Sequence, residues 1–123
     1  MPFLTASVVF LLVAFFGSAS RAGEADVVSA DVSCTDQSIC SFAITVRHAD
    51  EGWEHYADKW EVLTLEGELL ATRVLRHPHV DDQPFTRSLS GVTLSSSIPR
   101  VRIRAHDSVH GYGGEELSVE IPR

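Results

Sequence analysis

The chain has 123 residues, 44% of them apolar, and its 10 Lys and Arg against 17 Asp and Glu give a formal net charge of −7. That length supports one domain, and the acidic balance repels phosphate backbones, which excludes nucleic acid as a partner. Sulfur is scarce, with 2 Cys and 1 Met, so soft Cu(I) sites built on sulfur are not expected.

At the N-terminus an uncharged apolar run, Ser7 to Phe16, precedes Ser20-Arg21-Ala22, which sets small residues at the −3 and −1 positions of a cleavage site. Residues 1–22 therefore read as a signal peptide, because a run of about 10 residues cannot cross a bilayer core that needs roughly 20. The expected mature chain is residues 23–123, secreted or periplasmic, without a membrane span. Its loss of Arg21 leaves a net charge of −8.

A first strand is predicted over 25–33, and Cys34 and Cys40 then flank the turn chemistry of Thr35-Asp36-Gln37-Ser38. In an oxidising compartment these cysteines are expected to form a disulfide that clamps a hairpin across its own loop. A second strand over 41–48 alternates Phe42, Ile44 and Val46 with Ala43, Thr45 and Arg47, the pattern of a half-buried strand. The third and fourth strands, over 60–66 and 69–76, are joined at Glu66-Gly67-Glu68 as a hairpin. A fifth follows over 85–92. After the loop Ser95 to Pro99 come a sixth over 100–106, where Val101, Ile103 and Ala105 face inward, and a seventh over 116–121.

Seven short antiparallel strands at such intervals resemble an immunoglobulin-like or fibronectin-type-III-like domain, which implies an all-β, single seven-stranded β-sandwich. The antibody-type disulfide between distant strands is missing. The runs His77-Pro-His-Val-Asp-Asp-Gln-Pro-Phe-Thr-Arg-Ser-Leu and Asp107-Ser-Val-His-Gly-Tyr-Gly-Gly are similar to those of small exported bacterial proteins with no assigned activity.

All 6 histidines lie in or beside three links: His48 and His55 between strands two and three, His77 and His79 between four and five, His106 and His110 between six and seven. Consecutive strands run in opposite directions, so these even-to-odd links share one end of the sandwich. The disulfide hairpin, the Gly67 turn and the Ser95 to Pro99 loop take the other.

Imidazole suits divalent transition ions, so the histidine end is read as a metal site for copper(II) or zinc. His77 and His79 lead as ligands, because residues at i and i+2 of an extended segment point to one side. His110 and His55 come next, then His106 and His48. Asp50, Asp58, Asp81, Asp82 and Asp107 can complete a shell or orient ring nitrogens. Protonation of all 6 histidines would move the mature charge from −8 to −2, so cation affinity is expected to fall as pH drops through about 6.5.

The alternative is a glycan-, peptide- or protein-binding module for an exported partner, using Trp53, Tyr56 and Tyr112 at the same end, with Trp60 and Phe85 read as core. Catalysis ranks last: Asp107, Ser108 and His110 are sequence neighbours, and no G-x-S-x-G elbow is present.

Overall fold

A computed structural model describes residues 23–123; the expected signal peptide over 1–22 lies outside the described residues. The strands are β1 (Asp26–Cys34), β2 (Ile39–Arg47), β3 (Ala57–Leu63), β4 (Leu69–Val74), β5 (Phe85–Thr93), β6 (Arg100–Asp107) and β7 (Leu117–Glu120). They form an all-β sandwich, with a three-stranded sheet in the order β1-β2-β5 against a four-stranded sheet in the order β4-β3-β6-β7, and every pairing is antiparallel. Among the described residues no helix is long and apolar enough to cross a membrane.

The period-2 pattern locates the core. Phe42, Ile44 and Val46 of β2 are fully buried, as are Trp60 and Val62 of β3 and Val101 and Ile103 of β6. Each such side chain contributes about 1.5–3 kcal/mol through burial. Phe85 is also buried at the start of β5, so the aromatic residues read as core are core.

Strand β3 departs most from expectation, since it opens at Ala57 rather than at residue 60. Its pairing with β6 shifts register between Ala57 and Lys59, so the extra residue breaks the alternation that marks a strand in sequence. Glu61 is buried within β3 because the Arg104 guanidinium donates to its carboxylate at 3.1 Å.

The odd-to-even links hold one end together. The Cys34–Cys40 disulfide closes the β1–β2 hairpin, and the Arg123 guanidinium donates to Ser38 Oγ at 2.7 Å and to the carbonyls of Ser95 and Ile98 at 2.6 and 2.8 Å. A loop this short limits the disulfide's contribution to about 2 kcal/mol. Gly67 supplies the positive φ, +94°, that turns β3 into β4.

The even-to-odd links meet at the other end. The β6–β7 link is also laced to the start of β1: the Val27 amide donates to the Glu115 carbonyl at 2.9 Å, and the Glu115 amide donates to Asp26 Oδ1 at 2.8 Å. Gly114 sits between these bonds, where an added Cβ would lie only 2.0 Å from the Ala25 carbonyl oxygen. The close approach that this glycine permits is therefore made by the chain's own backbone. Gly114→Ala is expected to destabilise the protein by about 1–3 kcal/mol, because backbone rather than a flexible side chain must move. The midpoint of urea unfolding checks this, and an unchanged midpoint would contradict the packing described.

Candidate metal centre

Asp107 ends β6 with its side chain fully buried. Its Oδ1 accepts the amides of Val109 at 2.8 Å and His110 at 2.7 Å, which curls the β6–β7 link back over it. Gly111, with φ +74°, closes this curl through reciprocal backbone bonds with Asp107. Buried Oδ2 has no hydrogen-bond partner among the described residues.

Two imidazoles from the β2–β3 link face this carboxylate. His48 follows the last residue of β2, with Nε2 3.8 Å from Asp107 Oδ2. His55 is turned inward by the bend at Gly52, which has φ +121° and pairs with it, so that Nε2 lies 3.3 Å from Asp107 Oδ1. His55 Nε2 is likewise buried without a hydrogen-bond partner among the described residues. The rings stand edge-on with centroids 4.8 Å apart, and one potential ligand atom from each of His48, His55 and Asp107 falls within 4.8 Å of the other two. Bonds of roughly 2.0–2.1 Å in a tetrahedral shell place ligand atoms about 3.3 Å apart, which the 3.3 Å His55–Asp107 contact matches and the 3.8 Å His48–Asp107 contact exceeds.

Carboxylates also stand behind both rings. Asp50 Oδ1 is 2.5 Å from His48 Nδ1 and accepts the Ala57 amide at 3.0 Å, while its Oδ2 accepts the His79 amide at 2.7 Å. Glu51 Oε1 is 3.6 Å from His55 Nδ1. The Asp50 carboxylate on Nδ1 fixes the His48 ring and leaves Nε2 as the donor to an ion, the usual arrangement behind metal-ligating histidines. The Glu51 contact to His55 is too long for a hydrogen bond. The Gly23 carbonyl is 2.9 Å from His48 Nε2, so an ion there must displace or share that contact. His110 lies at the rim, its Nδ1 3.3 Å from Asp107 Oδ1 and its ring 4.9 Å from that of His55.

Burial raises the Asp107 pKa, but the amides of His110 and Val109 and the attraction of His48 and His110 outweigh it. The net effect holds the carboxyl below its ordinary value, so Asp107 is an anion at neutral pH.

The other histidines stand elsewhere at this end. His77 and His79 do lie together, with ring centroids 4.6 Å apart, but they line a recess with Arg73, Arg76 and Arg87. The ring nitrogens of His79 face Asp82 Oδ2 at 2.9 Å and Arg87 Nη2 at 3.3 Å, and the ring stacks on Phe85. The His79 interaction, foremost, lowers the pKa of exposed Asp82. His106 Nδ1 is 2.5 Å from Asp58 Oδ1, and its ring meets Tyr112 edge-on.

The loop aromatics divide in the same way. Trp53, 66% exposed, stands edge-on to Tyr56, whereas Tyr112 is covered by the Arg104 guanidinium at 3.8 Å. Of the aspartates read as completing a shell or orienting ring nitrogens, Asp107 faces three histidine rings, while Asp50, Asp58 and Asp82 each face one. Glu51 and the Gly23 carbonyl carry no motif and are recognised only in three dimensions.

No protein-family model matches this chain, and no solved structure matches it. Over 97 residues it is 38% identical to a protein of Halomicrobium mukohataei described as a "putative lipoprotein". The match covers 79% of this chain and 47% of the relative, so the chain spans about half that relative's length.

Proposed function

We propose that this is a small exported protein that binds a divalent transition ion, zinc or copper(II), through His48, His55 and Asp107, with His110 supplying a fourth ligand from the rim. The observation that carries this reading is the pair of buried, unpartnered atoms, His55 Nε2 and Asp107 Oδ2, in one cluster. Each costs about 1–3 kcal/mol when left unsatisfied, and one cation satisfies both. Three imidazoles and one carboxylate suit zinc and copper(II) better than calcium or magnesium, which prefer all-oxygen shells.

Export rests on the signal-like residues 1–22, the Cys34–Cys40 disulfide and the lipoprotein description of the relative. In this reading residues 1–22 are removed and 23–123 are the working domain.

Titration of tag-free protein with zinc and copper(II) tests the site. One ion per chain is expected, with affinity reduced at least roughly 100-fold in His48→Ala and His55→Ala and unchanged in the His77→Ala/His79→Ala double variant. Loss confined to the double variant would move the site to the β4–β5 link. No stoichiometric ion would leave glycan, peptide or protein binding as the reading, for which exposed Trp53 beside Tyr56 is the best anchor.

A further inference from the structure

The recess lined by Arg73, Arg76, His77, His79 and Arg87 gathers three guanidiniums into one place on a chain whose net charge is −7. It lies at the seam where β4, an edge of one sheet, meets β5, an edge of the other. The Arg73 guanidinium crosses that seam, donating from Nε to the Ser88 carbonyl at 2.9 Å and also to the Val74 carbonyl. Arg87 donates from Nη1 to the Thr86 carbonyl at 2.7 Å and lies against the Phe85 ring.

On β6 the arginines face carboxylates, whereas Arg123 binds the Ser38 hydroxyl and backbone carbonyls. Arg100, Arg102 and Arg104 pair with Glu120, Glu116 and Glu61 at 3.0–3.1 Å. Among the described residues none of Arg73, Arg76 and Arg87 has a carboxylate oxygen within 4.0 Å, although Arg73 and Arg87 are half-buried. Asp82 feels the charge of Arg87 at longer range, and it is engaged by His79.

We propose that this recess is a binding site for a small tetrahedral oxyanion, inorganic phosphate or sulfate. Each guanidinium carries five N–H donors. Backbone carbonyls occupy only some of those on Arg73 and Arg87, and they hold the two forks in place. Donors fixed in this way match the oxygens of an oxyanion through short charge-assisted bonds, and the anion supplies the charge that the surrounding protein withholds. Exposed Arg76 and His77 border the opening and can close over the ligand. The same concentration of positive charge makes His77 and His79 poor ligands for a cation. This proposal is independent of the metal reading.

Titration of the metal-free protein with sodium phosphate, and separately sodium sulfate, tests it by amide chemical shifts at ionic strength held constant with chloride. Saturable shifts confined to residues around 73–79 and 87 are expected, with a Kd of about 1 mM or tighter. Arg73→Gln and Arg87→Gln are each expected to weaken binding about tenfold, and Arg100→Gln to leave it unchanged. Among the described residues the exposed Arg76 side chain makes no hydrogen bond, so Arg76→Gln keeps the test decisive if a half-buried variant unfolds. Shifts that chloride alone reproduces, that never saturate, or that persist unchanged in the arginine variants would overturn the proposal.

Discussion

Asp107→Asn is expected to reduce zinc affinity by roughly 100-fold or more while leaving the metal-free protein folded. The amide oxygen can still accept the Val109 and His110 amides that shape the β6–β7 link, but the anionic ligand facing His48 and His55 is gone. Asp107→Ala removes both functions. It orphans two amides at the centre and is expected to cost about 2–4 kcal/mol of stability as well. Isothermal titration with zinc and urea unfolding of the metal-free proteins separate the two effects. Zinc at about 100 times its Kd should stabilise the wild-type protein by about 2.7 kcal/mol and Asp107→Asn far less.

Acidification has a definite sign for the same residue. The folded-state pKa of Asp107 is lowered, so its ionisation stabilises the metal-free fold above the ordinary carboxylate value of about 3.9, and that contribution is lost as pH falls through the lower folded value. The stability difference between wild type and Asp107→Asn should therefore be flat near neutrality and shrink below about pH 4. A difference that instead grew with acid would contradict the assignment of an ionised Asp107.

The second large effect is expected at Asp50. This carboxylate receives the Ala57 amide, the His79 amide and His48 Nδ1, and so ties β3 and the β4–β5 link to the end of β2. Asp50→Ala leaves these donors without their acceptor in a buried setting and is expected to destabilise the protein by about 3–5 kcal/mol, read from urea unfolding. It also frees the His48 ring, so any folded fraction should bind zinc about 10–100-fold more weakly. Asp50→Asn, which keeps an acceptor, should lose less stability. Equal losses in the two variants would show that charge rather than the hydrogen-bond network holds this corner.

The sandwich is legible in the sequence because most strands carry a clean alternation. The run from Phe42 to Val46 faces one sheet's apolar side towards Val101, Ile103 and Ala105 on the other. β3 is harder to delimit, since its bulge sets Ala57 and Trp60 on the same buried side with two residues between them. The gathering of the histidine links at one end follows from strand parity, and contacts such as Asp50 to the His79 amide realise it.

The grouping within that end is not written in local spacing. His48 and His55 come from the β2–β3 link and Asp107 from the end of β6, and only sheet pairing brings them together. The pair around Pro78 has the more suggestive local pattern. Its surroundings, however, are set by Arg73 on β4 and Arg87 on β5, which meet only because the β4–β5 link bridges the two sheets. Burial also sorts the aspartates: Asp107 and Asp50 are enclosed with histidines, while Asp82 stands in solvent.

X-ray absorption at the metal edge of the zinc-loaded protein, paired with the same measurement on His55→Ala, tests the central claim most directly. The account predicts three imidazole nitrogens at about 2.0 Å together with carboxylate oxygen at about 2.0–2.2 Å, and loss of one imidazole in the variant. A zinc shell unchanged by His55→Ala, or one without imidazole, would contradict it.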